Sequence, residues 1–141
     1  MKVFLDTSFL LKLYHQEEGS EVAEDILSKG IEEIFLSELA ILEFCSAFWK
    51  KVREGELDEK VATEVIAYFQ NDYDKFQWIP LQSALIESAE DLLMKYGKRG
   101  LRTLDSLQLA SALTLKSNNC IFLTSDVLLK SLMTEENLKV V

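Results

Sequence analysis

Cysteine, histidine and proline are nearly missing from this chain, at two, one and one among 141 residues, and glycine occurs only five times. Cys45 and Cys120 lie in apolar surroundings without metal-ligand spacing, so they read as two reduced core thiols rather than a disulfide. With no cluster of His and Cys, a zinc site is disfavoured. The single His15 reads as a helix-end or surface residue rather than a catalytic base. So little proline and glycine, and no repeat or low-complexity segment, leaves nothing to serve as a linker, and one domain over residues 1–141 is predicted. No apolar run approaches the ~20 residues that a bilayer-spanning helix needs. The first residues lack the basic region and cleavage site of a secretory leader, so no membrane association and a cytoplasmic location are expected. Basic charge is scarce too: Lys and Arg number 15 against 24 Asp and Glu, giving a net charge of -9 and a pI near 4.6. That excludes a broad electrostatic surface for nucleic acid, because phosphate binding rests on Lys and Arg, but it leaves room for a local basic patch. An excess of carboxylates also suits a protein that concentrates acids for divalent cations.

What is present is an alternation of short apolar runs and amphipathic segments. Val3-Phe4-Leu5 begins almost at residue 1 and reads as a buried parallel strand. It stops on Asp6, after which Thr7 and Ser8 start an apolar helical turn through Tyr14. Asp6 therefore stands where a strand ends and a helix begins, the edge at which open α/β sheets bind ligands. The plainer reading is that Asp6 only caps the helix. Ser20 is expected to cap a helix over 21–29, and Ile34-Phe35-Leu36 is a second short strand. A long helix capped by Ser37 runs to about Arg53, apolar on nearly every side from Leu39 to Trp49 except at Glu43 and Ser46. A carboxylate such as Glu43 is costly to bury there without a partner or a metal, whereas Glu38 can be an ordinary first-turn acid.

Asp58 opens the next helix, with Val61, Val65, Ile66 and Phe69 at core spacing. Residues 77–81 are strand-like, with Pro80 confining them to an end or edge. Ser83 caps residues 84–96, with Ile86, Ala89, Leu92 and Leu93 as the buried stripe and Gly97 as the stop. A basic loop over 98–103 leads into a helix over 104–115, and Asp105 stands in its first turn. Cys120 to Thr124 is another buried strand; Ser125 and Asp126 open a short helix, and 138–141 form a final edge strand. The predicted architecture is α/β, a parallel β-sheet with helices on both faces.

Asp6, Glu43, Asp105 and Asp126 can all face one sheet edge. Brought together, four carboxylates repel one another unless a divalent cation compensates. Mg²⁺, or Mn²⁺, fits an all-oxygen set. Such a cluster supports phosphodiester hydrolysis, with the carboxylates positioning cation and water. Capping explains Asp105 or Asp126 taken singly, but it does not explain Glu43, and a shared site accounts for all four.

These residues carry a resemblance. Residues 3–8 (VFLDTS), Glu43 in its apolar helix, residues 101–112 (LRTLDSLQLASA) and residues 122–126 (FLTSD) resemble the motifs of PIN-domain nucleases, in order and along the whole chain. The closest group is the VapC-like toxins of toxin-antitoxin pairs. The resemblance implies a PIN-like α/β sandwich and a Mg²⁺- or Mn²⁺-dependent endoribonuclease whose acids are Asp6, Glu43, Asp105 and Asp126. It also implies that Ser8 and Thr124 orient the acids or a water. It further implies a homodimer, and a small antitoxin that wraps the toxin and inserts a basic side chain into the acidic site. Lys98, Arg99 and Arg102, with Lys95 nearby, are predicted to hold the RNA backbone; the alternative is a solvated loop. The Leu39 to Phe69 helical hairpin could instead offer a partner groove, although most of its apolar residues are expected in the core. Two other classes stay open. A haloacid dehalogenase-type phosphatase also places an Asp after its first strand, but normally carries a second Asp two residues on, where this chain has Ser8. A catalytically silent PIN-like module would bind protein or RNA without cleaving.

Overall fold

Val3, Phe4 and Leu5 are wholly buried. The strand they form, β1 (Lys2–Leu5), is the middle strand of a five-stranded sheet in the computed structural model, which describes residues 1–141. The other strands are β2 (Glu33–Ser37), β3 (Gln77–Ile79), β4 (Cys120–Leu123) and β5 (Lys139–Val140). They are ordered β3-β2-β1-β4-β5, every pair parallel. Val3 lies opposite Ile34 on one side and Ile121 on the other, so a run of three apolar residues is covered on both faces and both edges. The helices are α1 (Thr7–Tyr14), α2 (Ser20–Leu27), α3 (Leu39–Arg53), α4 (Glu59–Asn71), α5 (Ser83–Tyr96), α6 (Thr103–Leu113) and α7 (Val127–Glu135). None is long and apolar enough to cross a membrane.

Because side chains alternate along a strand, β1 feeds two cores. Val3 and Leu5 point to one face, where they meet Phe9 and Leu10 of α1 and Ala40, Phe44 and Phe48 of α3. Phe4 points to the other, against Ala89 and Leu92 of α5, Leu109 of α6 and Leu129 and Leu132 of α7. The first core is aromatic. Phe44 stacks between Phe48 and Phe69 with ring centroids 4.8 and 4.3 Å away, and Tyr14 meets Phe44 edge-on. The Tyr14 hydroxyl donates to Asp72 at 2.7 Å, so the half-buried ring packs on the core while its polar end is satisfied.

Several local expectations change in the structure. Ser20 and Ser83 lie inside their helices; Gly19 and Gln82 occupy the cap positions. Gly19 has φ +89°, a left-handed turn that glycine adopts without strain. The buried stripe of α5 is Leu85, Ala89, Leu92 and Tyr96, while Ile86 is mostly exposed. In α4, Ala62 takes the core position and Val61 faces outward. Ser37 does support α3, accepting the Leu39 N–H at 3.2 Å, while Glu38 accepts the Leu81 N–H at 2.9 Å and ties that helix start to the end of β3. Both cysteines are free, Cys120 buried and Cys45 only half-buried. His15 caps the end of α1 with its ring edge-on to Phe48.

Candidate active site

The strand order reverses direction at the centre of the sheet. From β1 the chain moves outward to β2 and β3, then returns to the other side of β1 as β4. The carboxyl ends of β1 and β4 thus flank a topological switch point, where α/β sheets open a crevice. Asp6 follows β1 and Asp126 follows β4 by three residues; the Asp6 N–H donates to the Leu123 carbonyl, joining the two strand ends. Both acids are N-caps. Asp6 Oδ1 accepts the Phe9 N–H at 3.0 Å and Asp126 Oδ1 accepts the Leu129 N–H at 2.7 Å. Glu43 reaches the same place from α3 and Asp105 from the first turn of α6, and all four line one cavity of about 220 Å³. Asp105 caps nothing, since the cap position of α6 is Arg102.

Hydroxyl groups fix the acids. Ser8 Oγ donates to Asp6 at 2.8 Å and accepts the Ser125 N–H at 3.0 Å, so it joins the turns after β1 and β4. Thr124 Oγ1 donates to Asp6 Oδ2 and accepts the Asp126 N–H at 3.0 Å. Two residues not singled out from the sequence hold Glu43. Thr7 Oγ1 donates to Glu43 Oε1 at 2.8 Å, and Gln108 Nε2 donates to the same oxygen at 2.8 Å and to Thr7 Oγ1 at 3.0 Å. Gln108 is buried, and its Oε1 is a buried side-chain oxygen with no partner. The signal that could have found it is spacing: Gln108 lies three residues after Asp105, on the same face of α6.

Burial and repulsion act together here. Asp6, 3% exposed, is pushed up to about 6 by burial, against the hydrogen bonds of Thr124, Phe9 and Ser8, with the charge of Asp126 adding to the rise. Burial also raises Glu43, opposed by Gln108 and Thr7 and reinforced by the charge of Asp105. Asp105 is raised by burial and then by Asp126, while Arg102 pulls it back. Asp6, Glu43 and Asp105 are thus costly to ionise in this cavity. As the side chains stand, no group of three acids, histidines or cysteines is disposed to hold a metal ion. The donors that line the cavity are oxygens, with neither His nor Cys among them. That set fits Mg²⁺ or Mn²⁺, which take hard oxygen ligands, and Mg²⁺ usually binds through one or two carboxylates and keeps several waters.

The basic residues divide. Arg102 lines an adjoining cavity of about 320 Å³ with Glu43, Thr103, Leu104 and Asp105. Lys98 and Arg99 lie in a short 3-10 turn (Gly97–Arg99), closed by Gly100 at φ +100°. Arg99 pairs with Glu135 of α7 and donates to Ser131, and Lys95 pairs with Glu136 at 2.7 Å. Arg102 alone of the predicted three is brought to the acids.

A family model described as PIN domain matches residues 3–132. The chain is 30% identical over 99 residues to Ribonuclease VapC3 of Pyrobaculum aerophilum, covering 69% of this chain and 72% of that protein. Among solved structures it is similar to VapC20 of Mycobacterium tuberculosis, described as a sarcin-ricin loop cleaving toxin, with a TM-score of 0.69 and 15% identity over 92% of this chain and 94% of that one. It is also similar to FitAcB from Neisseria gonorrhoeae, with a TM-score of 0.71 and 14% identity over 99% and 96% of the two chains.

Proposed function

The chain belongs to the PIN-domain family, and from that premise we propose that it is a divalent-metal-dependent endoribonuclease, the toxin of a toxin-antitoxin pair, with residues 1–141 as one nuclease domain. The observation that carries the proposal is the meeting of Asp6, Glu43, Asp105 and Asp126 in one cavity at the switch point of the sheet. Two strand ends and two helices would otherwise have no reason to bring four carboxylates together. Under this reading Asp6, Glu43, Asp105 and Asp126 hold Mg²⁺ or Mn²⁺, which when bound supplies Lewis-acid polarisation of the phosphate and the charge that offsets the acids' repulsion.

The chain's own residues do the positioning. Ser8 and Thr124 hold Asp6 from two sides, so its carboxylate cannot swing away when its charge is unbalanced. Thr7 and Gln108 converge on Glu43 Oε1 and leave Oε2 without a hydrogen bond. Arg102, beside Asp105, is placed to hold an RNA phosphate next to the acids. The relative VapC3 is described as a ribonuclease, and the solved neighbours include VapBC structures and one described as a toxin-antitoxin complex, which supports RNA as substrate and a small antitoxin as partner. The family resemblance adds a homodimer.

The test is cleavage of a mixed RNA pool by wild type and Asp6→Asn at matched salt, with Mg²⁺, with Mn²⁺ and with EDTA. Cuts that need the cation and vanish in Asp6→Asn are expected. Cuts that persist in EDTA or in Asp6→Asn would refute the assignment of the chemistry to this cavity.

A further inference from the structure

Glu43 opens onto a second, larger hollow. One face of α3 carries Leu42, Glu43, Ser46, Lys50 and Arg53, at spacings of one, three, four and three residues, and together with Leu104 of α6 it lines a groove of about 600 Å³. This groove, the Arg102 cavity and the acidic cavity all share Glu43. They form one trough that runs from the acids along α3 to its last turn, about 15 Å at the helical rise of ~1.5 Å per residue.

Its charge is unlike that of the rest of the molecule. In a chain with a net charge of -9, six of the lysines and arginines outside the trough are paired with acids: Lys2, Lys29, Lys51, Lys75, Lys95 and Arg99. Of the three arginines, Arg99 is tied to Glu135, while Arg53 and Arg102 form no ion pair, and both of these line the trough. Lys50 reaches Glu54 only at 4.0 Å, with both side chains exposed. Basic residues in a last turn are favoured by the helix dipole, which by itself would explain Lys50 and Arg53. It does not explain why Leu42 and Leu104, 66% and 49% exposed, are left uncovered between them and the acids.

We propose that this trough is the track of the RNA strand: Arg102, Lys50 and Arg53 bind successive phosphates on one side of the scissile bond, and the two leucines carry the bases. Unpaired guanidinium groups are suited to phosphate, which they bind through two donors, and an apolar floor beside them receives base faces without reading sequence. The basic turn at Lys98 and Arg99 takes no part. The inference rests on the ribonuclease reading, and it names the side of the site that the substrate uses.

The experiment measures binding of a fluorescein-labelled, mixed-sequence single-stranded RNA 12-mer by fluorescence anisotropy across a salt series, in the non-cleaving Asp6→Asn background. Lys50→Gln/Arg53→Gln is expected to weaken binding at least tenfold and to flatten the dependence of log K on log salt by about 1.4, since each lost single-strand phosphate contact removes about 0.7. Lys95→Gln/Arg99→Gln is expected to change neither. Equal binding with and without Lys50 and Arg53 would overturn the track while leaving the ribonuclease reading intact. An equal loss in both double variants would do the same. A dimer in sedimentation that dissociates in Leu42→Glu would assign the groove to a second copy and overturn the track as well. A failure of the Asp6→Asn protein with an intact trough to bind this RNA at any salt would overturn the track, and the RNA-pool assay would then judge the ribonuclease reading separately.

Discussion

Asp6→Asn should make the metal-free protein more stable. Asp6 is 3% exposed, and its pKa rises from 3.8 to about 6, with burial the leading cause. A folded state that holds a proton more tightly than the unfolded chain is penalised as that proton leaves. The penalty is therefore absent below the unfolded value of 3.8, grows through the interval, and is complete above about pH 6. A rise of about two units corresponds to about 3 kcal/mol. Asparagine carries no charge, and its Oδ1 can keep the Phe9 N–H and the Ser8 hydroxyl. The Thr124 hydroxyl, however, loses the oxygen it donates to, which costs about 1 kcal/mol. The expected net gain at pH 7.5 in EDTA is about 2 kcal/mol, or a Tm higher by about 4–8 °C in a domain of this size. Urea unfolding of both proteins from pH 4 to pH 8 checks the sign: at pH 4 the variant should be the less stable by the ~1 kcal/mol of the lost Thr124 bond, and the order should invert as the pH rises toward about 6. Addition of Mn²⁺ should reverse the order, because an ion at a hundred times its Kd adds about 2.7 kcal/mol to the wild type and nothing to a variant that no longer binds it. An Asp6→Asn protein less stable than wild type at pH 7.5 without metal would refute the reasoning, since the hydrogen bonding of the carboxylate would then outweigh the cost of its buried charge.

Glu136→Gln should act with the opposite sign. Hydrogen bonds from Lys95 and Tyr96 hold the Glu136 carboxyl below its ordinary value, so its contribution is present above the unfolded pKa and is lost as pH falls through the folded one. With Lys95 itself largely exposed, the loss at pH 7 should be about 1 kcal/mol, vanishing in acid, as urea unfolding at pH 7 and pH 3 will show. Gln108→Leu should separate stability from chemistry. It deletes two donated bonds but also an oxygen with no partner, so the free energy of urea unfolding should fall by less than about 1 kcal/mol. Glu43, held by Thr7 alone, should bind Mn²⁺ about tenfold more weakly in calorimetry; unchanged affinity would deny Gln108 a positioning role.

The strands that build the crevice were legible because β1 and β4 are buried on both faces and read as unbroken apolar runs that end near an acid. Glu43 was legible for a related reason, as the one charge in the stretch from Leu39 to Trp49, which is otherwise apolar apart from Ser46. The buried face of α5 was not. Ile86 and Leu93 are as apolar as Leu85 and Leu92, and only the packing of α5 against α6 decides which register faces inward. The pairing within the basic turn was not legible, because proximity in sequence carries no information about it: Glu135 and Glu136, more than thirty residues on, take up Arg99 and Lys95. Arg53 and Arg102 come to one trough only because α3 and the start of α6 meet at Glu43.

Helix capping and the proposed metal binding looked like competing explanations of Asp6 and Asp126, yet under the proposed reading the first is a condition of the second. A carboxylate has two oxygens and about four acceptor sites. The cap fastens Oδ1 of each acid to a backbone N–H that cannot rotate, and thereby fixes the plane of the whole group. Oδ2 of Asp6 is further held by Ser8 and Thr124, so this acid is fixed before any cation arrives. Asp126 has no such hold on its second oxygen. A free carboxylate in this crevice would turn away from its neighbours to relieve repulsion; a capped one cannot, and the repulsion is retained as affinity for a cation. Asp105, which caps nothing, lacks that restraint, so its position is the one expected to depend most on the ion.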